Sequence, residues 1–383
     1  TLPDFFSNRF RDEKKILMTI AAILILFFFT IYTSSGFAAC GKLFNSIFGL
    51  DYRSMMLVSA LVIVIYTIVG GFLAESTVDF IQGGVMSVAL ILVLIAGVSA
   101  AGGFSNAIET FQSRPGFLSL FDSFDPTTGA STGYAGVSIA SGLAWGLGYF
   151  GMPHVLLRFM AIRNSSELKK SRIIGTTWCV VSLCVAVLAG AVGSAIPAMQ
   201  GLAGADSERI FVIMAEGLLP AVLAGVVLAG ILAAQMSTSD SQLLVTSSAI
   251  STNIYKGILK KDATDKQVMW VSRITVVVVA ILAAILALDP NSSIFNIVSY
   301  AWAGFGATFG PLVLFSIFWK RTTFKGALAG MLSGAAVVVL WKSFVKPLGG
   351  WFGIYELLPA FVVSCLCIYI FSKLDREPSK EIQ

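Results

Sequence analysis

Apolar residues run for membrane-spanning lengths ten times along this chain, at 15–38, 54–74, 80–101, 137–160, 173–197, 219–248, 268–288, 295–319, 326–344 and 354–372, with polar connections between. A helix rises about 1.5 Å per residue, so about 20 residues cross the hydrocarbon core, where only helices satisfy their own backbone in an unbroken span. The pattern predicts an all-α, polytopic membrane protein. Its basic residues fall in alternate connections. Of the 26 Lys and Arg, only Lys42, Arg53, Arg114, Arg209, Lys342 and Lys346 belong to one set of gaps, and the rest crowd the other. The positive-inside rule therefore places both ends of the chain in the cytoplasm, and an even number of spans independently puts them on one side.

Composition narrows the class further. A charged fraction of 12% beside an apolar fraction of 56% cannot clothe a soluble globule, and the net charge of +5 is topological rather than a nucleic-acid footprint. The five Cys imply neither a disulfide framework nor a metal spacing, and the single His154 has no second His or Cys near it, so it is expected to pack beside a helix bend. No nucleophile, base and orienting group are grouped, and no GxxxxGK[ST] phosphate loop appears, which argues against an enzyme or an ATP-driven pump. No cofactor is expected. The chain opens at Thr1 on TLPDFFSNRFRDEKK, without an initiating Met or signal peptide, and the expectation is that further sequence precedes it.

The connections at 102–136 and 198–218 are long enough to cap or gate something, whereas RNSSELKK, KGILKKDATDK and KRTTFK read as basic membrane-surface anchors. Two spans depart from plain apolar helix. In the fourth, Leu143 to His154 (LAWGLGYFGMPH) places three Gly and a Pro near mid-membrane. A helix should open there, and opened helices at that depth line cavities in transporters. Small residues also permit close helix packing, but Trp145 and Tyr149, one turn apart, favour a site.

The sixth span carries AAQMSTSDSQ, with Ala234, Ser237, Thr238 and Ser241 on one stripe. A carbonyl and two hydroxyls suit a hard, oxygen-seeking cation, while Ser and Thr in helices also bond back to their own backbone, and both readings stand. Asp240, inside this span, is a functional candidate by its depth. Asp79, expected in the hairpin between the second and third spans, is either functional or the N-cap of the third.

The segments WGLGYFGMPH, ILAAQMSTSDSQLL and SYAWAGFGATFGPLVLFSIFWKR, with GGFLAESTVDFIQ and GALAGMLSG, resemble the sodium:solute symporter family from end to end. The resemblance implies a LeuT-type inverted-repeat transporter in one membrane domain, 1–383, lacking its first spans in this numbering. Residues 15–101 would be the remainder of the first repeat, 137–319 the second, and 326–372 two extra helices. Ala234, Ser237 and Thr238 would be the second repeat's share of the principal sodium site. Asp79, Asp240 and Ser241 would form a second cation site or the inward route. Trp145, Tyr149 and Pro153 would belong to the substrate site, with Met152 standing where Gln is expected, while Trp302, Gly304 and Gly306 would fall where an outer gate closes or simply pack.

The function implied is sodium-coupled uptake of L-proline across a bacterial inner membrane by alternating access, with sodium as the coupling ion. Pantothenate, a sugar or a sialic acid are the alternative solutes. The partners expected are proline, sodium and membrane lipids, with no nucleic acid and no obligatory protein partner. A signalling module is the alternative class, and the expectation is against it because few residues of this sequence follow the tenth span.

Overall fold

Nine of the ten expected spans are continuous helices among the described residues, and the fourth is broken into short pieces. A computed structural model describes residues 1–125, 128–199 and 208–378, and of Ala74 its backbone alone. Among the described residues nine helices are long and apolar enough to cross a membrane. In chain order the helices are α1 (Leu2–Arg9), α2 (Ile16–Phe48), α3 (Tyr52–Leu73), α4 (Glu75–Ala100) and α5 (Phe104–Ser113). After the hairpin β1 (Asp122–Phe124) and β2 (Ser131–Gly133) come α6 (Gly136–Ala144), α7 (Pro153–Met160), α8 (Leu168–Ala195) and α9 (Ile210–Leu218). The last five are α10 (Ala221–Ser248), α11 (Asp265–Leu286), α12 (Ile294–Phe318), α13 (Phe324–Leu340) and α14 (Leu357–Leu374).

The boundaries shift for physical reasons. The first span extends past residue 38 to Phe48, and Ala39, Cys40, Gly41 and Leu43 of the added turns are buried. Gly49 then closes α2 at φ 64°, a conformation only glycine adopts without strain. The break between the second and third spans falls at Gly71 (φ 65°, ψ 178°) rather than at 75–79. Asp79 therefore lies inside α4, one turn after Glu75. The sixth span outruns its expected end and continues as a π-helix over Ala249–Leu259.

The long connection at 102–136 carries α5 and the hairpin, with Asp122 opposite Gly133 and Phe124 opposite Ser131. The other, 198–218, ends in α9, and 200–207 lie outside the described residues.

The core gathers around α12, the most enclosed span, whose apolar window is 78% buried. Its glycines admit neighbours to backbone distance: a Cβ on Gly306 would sit 2.7 Å from the Gly148 Cα, and one on Gly304 would enter the Phe28 ring. A second close approach joins α10 to α4, where a Cβ on Gly230 would come within 2.8 Å of Ala89. Helix α10 thus meets α4 at Gly230 and α2 at Gly36, where a Cβ would strike Ser239.

Candidate functional site

The fourth span opens where its glycines and proline lie. Helix α6 ends at Ala144, a 3-10 turn covers Trp145–Gly151, Met152 is extended (ψ 110°), and Pro153 starts α7. Pro lacks the N–H that a continuous helix would use, and its ring suits the first helical turn. The opened segment lies on α12, because a Cβ on Gly151 would strike the Phe305 carbonyl oxygen and come within 2.7 Å of the Gly310 nitrogen.

Trp302 organises the aromatic residues there. Its Nε1 donates to the Trp145 carbonyl at 3.0 Å, its ring stacks on Trp145 at 5.4 Å, and Tyr149 meets it edge-on at 4.8 Å. Trp145 also stacks with Phe295 and Tyr355, at 5.6 and 5.9 Å. Trp145 and Tyr149 thus share a partner. Pro153 is elsewhere: it lines a cavity of about 30 Å³ with Ile25, Leu157, Val245 and Ser248. Met152 is fully buried, and His154 packs beside the bend against Phe29 and Tyr32, at 5.7 and 6.4 Å.

On α10 the three expected sodium residues converge on one atom. The Ser237 and Thr238 hydroxyls both donate to the Ala234 carbonyl, at 3.1 and 3.0 Å. This is the backbone-bonding arrangement, and it also sets three oxygens side by side. Farther along α10, Gln242 accepts from Thr33 at 3.1 Å, and Ser239 is covered by Gly36, where a Cβ would strike its hydroxyl.

One turn from that trio lies an ionic cluster that sequence reasoning only half found. Carboxylate oxygens of Glu75, Asp79 and Asp240 all lie within 4.8 Å of one another. Arg158 of α7 closes the cluster: Nη2 donates to Glu75 Oε1 at 2.7 Å, Asp79 Oδ2 at 2.6 Å and the Ser241 hydroxyl at 3.0 Å, while Nη1 reaches Ser76 at 2.5 Å. Its guanidinium also lies 5.4 Å from the Phe72 ring centre. Ser241 donates to Glu75 at 2.5 Å, and Asp240 Oδ1 accepts from the Ser241 amide at 2.7 Å. Asp79 is no N-cap, because it stands within α4 and its carboxylate serves Arg158.

Asp79, Asp240 and Ser241 are therefore brought together, but Glu75 and Arg158 were not anticipated. Glu75 stands four residues before Asp79, a spacing that puts both on one helical face. Arg158 lies inside the fourth apolar run, where a charge carries more information than it does in a connection.

The comparisons agree with this architecture. The sodium:solute symporter family matches residues 1–334. The chain is 43% identical over 387 aligned residues to the sodium/proline symporter of Escherichia coli K12, covering 100% of this chain and 74% of the relative. It is 42% identical to the osmoregulated proline transporter of Bacillus subtilis, covering 99% of this chain and 75% of that one. Among solved structures, a sodium-coupled sialic acid symporter in a substrate-bound, outward-open state superposes with a TM-score of 0.76 at 20% identity, over 98% of this chain and 77% of that one. That likeness is one of fold, and the fold is LeuT-type.

Proposed function

The chain belongs to the sodium:solute symporter family, and from that premise we propose that it couples sodium moving down its gradient to the uptake of L-proline by alternating access. The observation that carries this reading is the end-to-end identity of 42–43% to relatives named as proline transporters. The broken span supports it, setting an aromatic group within the same helical assembly as oxygen-rich cation candidates.

In this reading Trp145 and Tyr149 face the compact ring of the substrate and Pro153 shapes the inner lining. The Ala234 carbonyl with Ser237 and Thr238 contributes to the principal sodium site, and Asp79, Asp240 and Ser241 form a second cation site or the inward route. Residues 15–101 are the remainder of one repeat, 137–319 the other, and 326–372 flank them. The protein resides in a bacterial inner membrane with both ends of this chain cytoplasmic.

The energetics suffice without ATP. Each inward sodium charge releases about 2.3 kcal/mol per 100 mV, and a tenfold concentration gradient adds about 1.4 kcal/mol. Together, about 3.7 kcal/mol supports roughly a 500-fold solute gradient.

The test is radiolabelled proline uptake into proteoliposomes with an imposed sodium gradient. Uptake collapses when choline replaces sodium, and excess unlabelled proline suppresses it whereas pantothenate, sugars and sialic acids do not. Uptake at the same rate without sodium overturns the reading.

A further inference from the structure

The ionic cluster leaves carboxylate oxygen unused. Arg158 and Ser241 both engage Glu75 Oε1, and Glu75 Oε2 and Asp79 Oδ1 are buried without a hydrogen-bond partner. Asp240 is 1% exposed and Glu75 6%. The Tyr66 hydroxyl lies close to Asp240 without completing a hydrogen bond to its Oδ2. Against these groups is a cavity of about 10 Å³ lined by Tyr66, Thr67, Gly70, Gly71, Glu75, Asp240 and Leu244.

That volume accommodates about one water-sized body. Its lining omits Asp79, Ser241 and Arg158, so the space lies to one side of the ion pair. Three carboxylates stand against one guanidinium, and negative charge in excess at membrane depth calls for a cation. A hard monovalent ion takes oxygen ligands, and carboxylate, phenol, hydroxyl and backbone carbonyl oxygens belong to the residues lining this space. Gly71 leaves the helical conformation at φ 65° beside it, so the backbone there is not consumed by a regular helix.

We propose that this cavity is a binding position for a small monovalent cation, anchored by Glu75 and Asp240 and completed by Tyr66 and Thr67. It rests on the sodium-coupled reading above and deepens it, because Glu75, Tyr66 and Thr67 enter a cation position beside the one assigned to Asp79, Asp240 and Ser241. Arg158 is then a positioning residue, holding one Glu75 oxygen so that the other faces the cavity.

The test is binding of sodium-22 to the purified protein, with lithium and potassium as competitors. Glu75→Gln preserves shape and removes the charge, and the sodium concentration for half-saturation rises about tenfold or more, equivalent to about 1.4 kcal/mol. Tyr66→Phe deletes only the hydroxyl and raises it about threefold. Lithium competes in the unaltered protein, and potassium, whose larger radius weakens its attraction to the carboxylate oxygens, competes less. Thr238→Ala separates the two readings. If Thr238→Ala weakens sodium binding while Glu75→Gln and Tyr66→Phe bind as the unaltered protein does, the cavity position is overturned and the Ala234 group keeps its role. If none of the three changes binding, the sodium-site reading falls with it. Should Glu75→Gln fail to accumulate, Tyr66→Phe decides.

Discussion

Thr238 shows how little of a residue's role its type reveals. Its hydroxyl donates to the Ala234 carbonyl, a bond worth about 0.5–1.5 kcal/mol to folding. If it also ligates sodium, Thr238→Ala raises the sodium requirement of uptake about tenfold or more, a loss of about 1.4 kcal/mol in binding, whereas Thr238→Ser is mild. Unchanged sodium dependence in the Ala variant removes the residue from the site. Asp79 poses a different question, because its carboxylate is bound to Arg158 at 2.6 Å. Asp79→Asn keeps an acceptor for the guanidinium but loses the charge, so sodium-driven uptake falls and the sodium requirement rises. Normal sodium affinity in that variant restricts Asp79 to anchoring Arg158. From sequence the acid at 79 could be a cap or a functional group. The distinction depended on where the preceding helix broke, and the break at Gly71 settled it against the cap.

At the scale of an element, the broken fourth span is the best-read feature of the chain, because Gly and Pro act on their own backbone. Which glycines are structural is another matter. A Cβ on Gly146 or Gly142 meets nothing within 4 Å, whereas one on Gly151 collides with the backbone of α12. Gly151→Ala therefore costs about 1–3 kcal/mol through overpacking, and Gly142→Ala, in helical backbone, is neutral or slightly stabilising. Thermal unfolding in detergent separates them, and equal melting temperatures refute the close approach. A similar close approach occurs in α2, where a Cβ on Gly36 would strike the Ser239 hydroxyl of α10.

The whole molecule couples these elements. Trp145 lies among Trp302, Phe295 and Tyr355, so replacing it changes packing as well as any substrate surface. Trp145→Phe retains a stacking ring, and Trp145→Ala removes it. Proline binding weakens in both and more in Ala, while sodium binding without substrate stays close to normal. Because coupling between two ligands is reciprocal, proline also ceases to tighten sodium in the Ala variant. Equilibrium proline binding at several sodium concentrations checks this, and unchanged affinity with unchanged sodium enhancement places the substrate elsewhere.

Nine long apolar helices among the described residues, the opening of the fourth run and the shared stripe of Ala234, Ser237 and Thr238 were legible in sequence, because hydrophobic length, backbone chemistry and helical period act within a few residues. Asp79, Asp240 and Ser241 were grouped only through the family resemblance, and Glu75 and Arg158 were missed, since the bonds between helices in this cluster join residues 79 to 166 positions apart. Periodicity says which residues share a face of a helix, but not which face of another helix it will meet. That choice belongs to packing: the glycines of α10 and α12 set how closely the helices approach, and the approach decides which buried charges become neighbours.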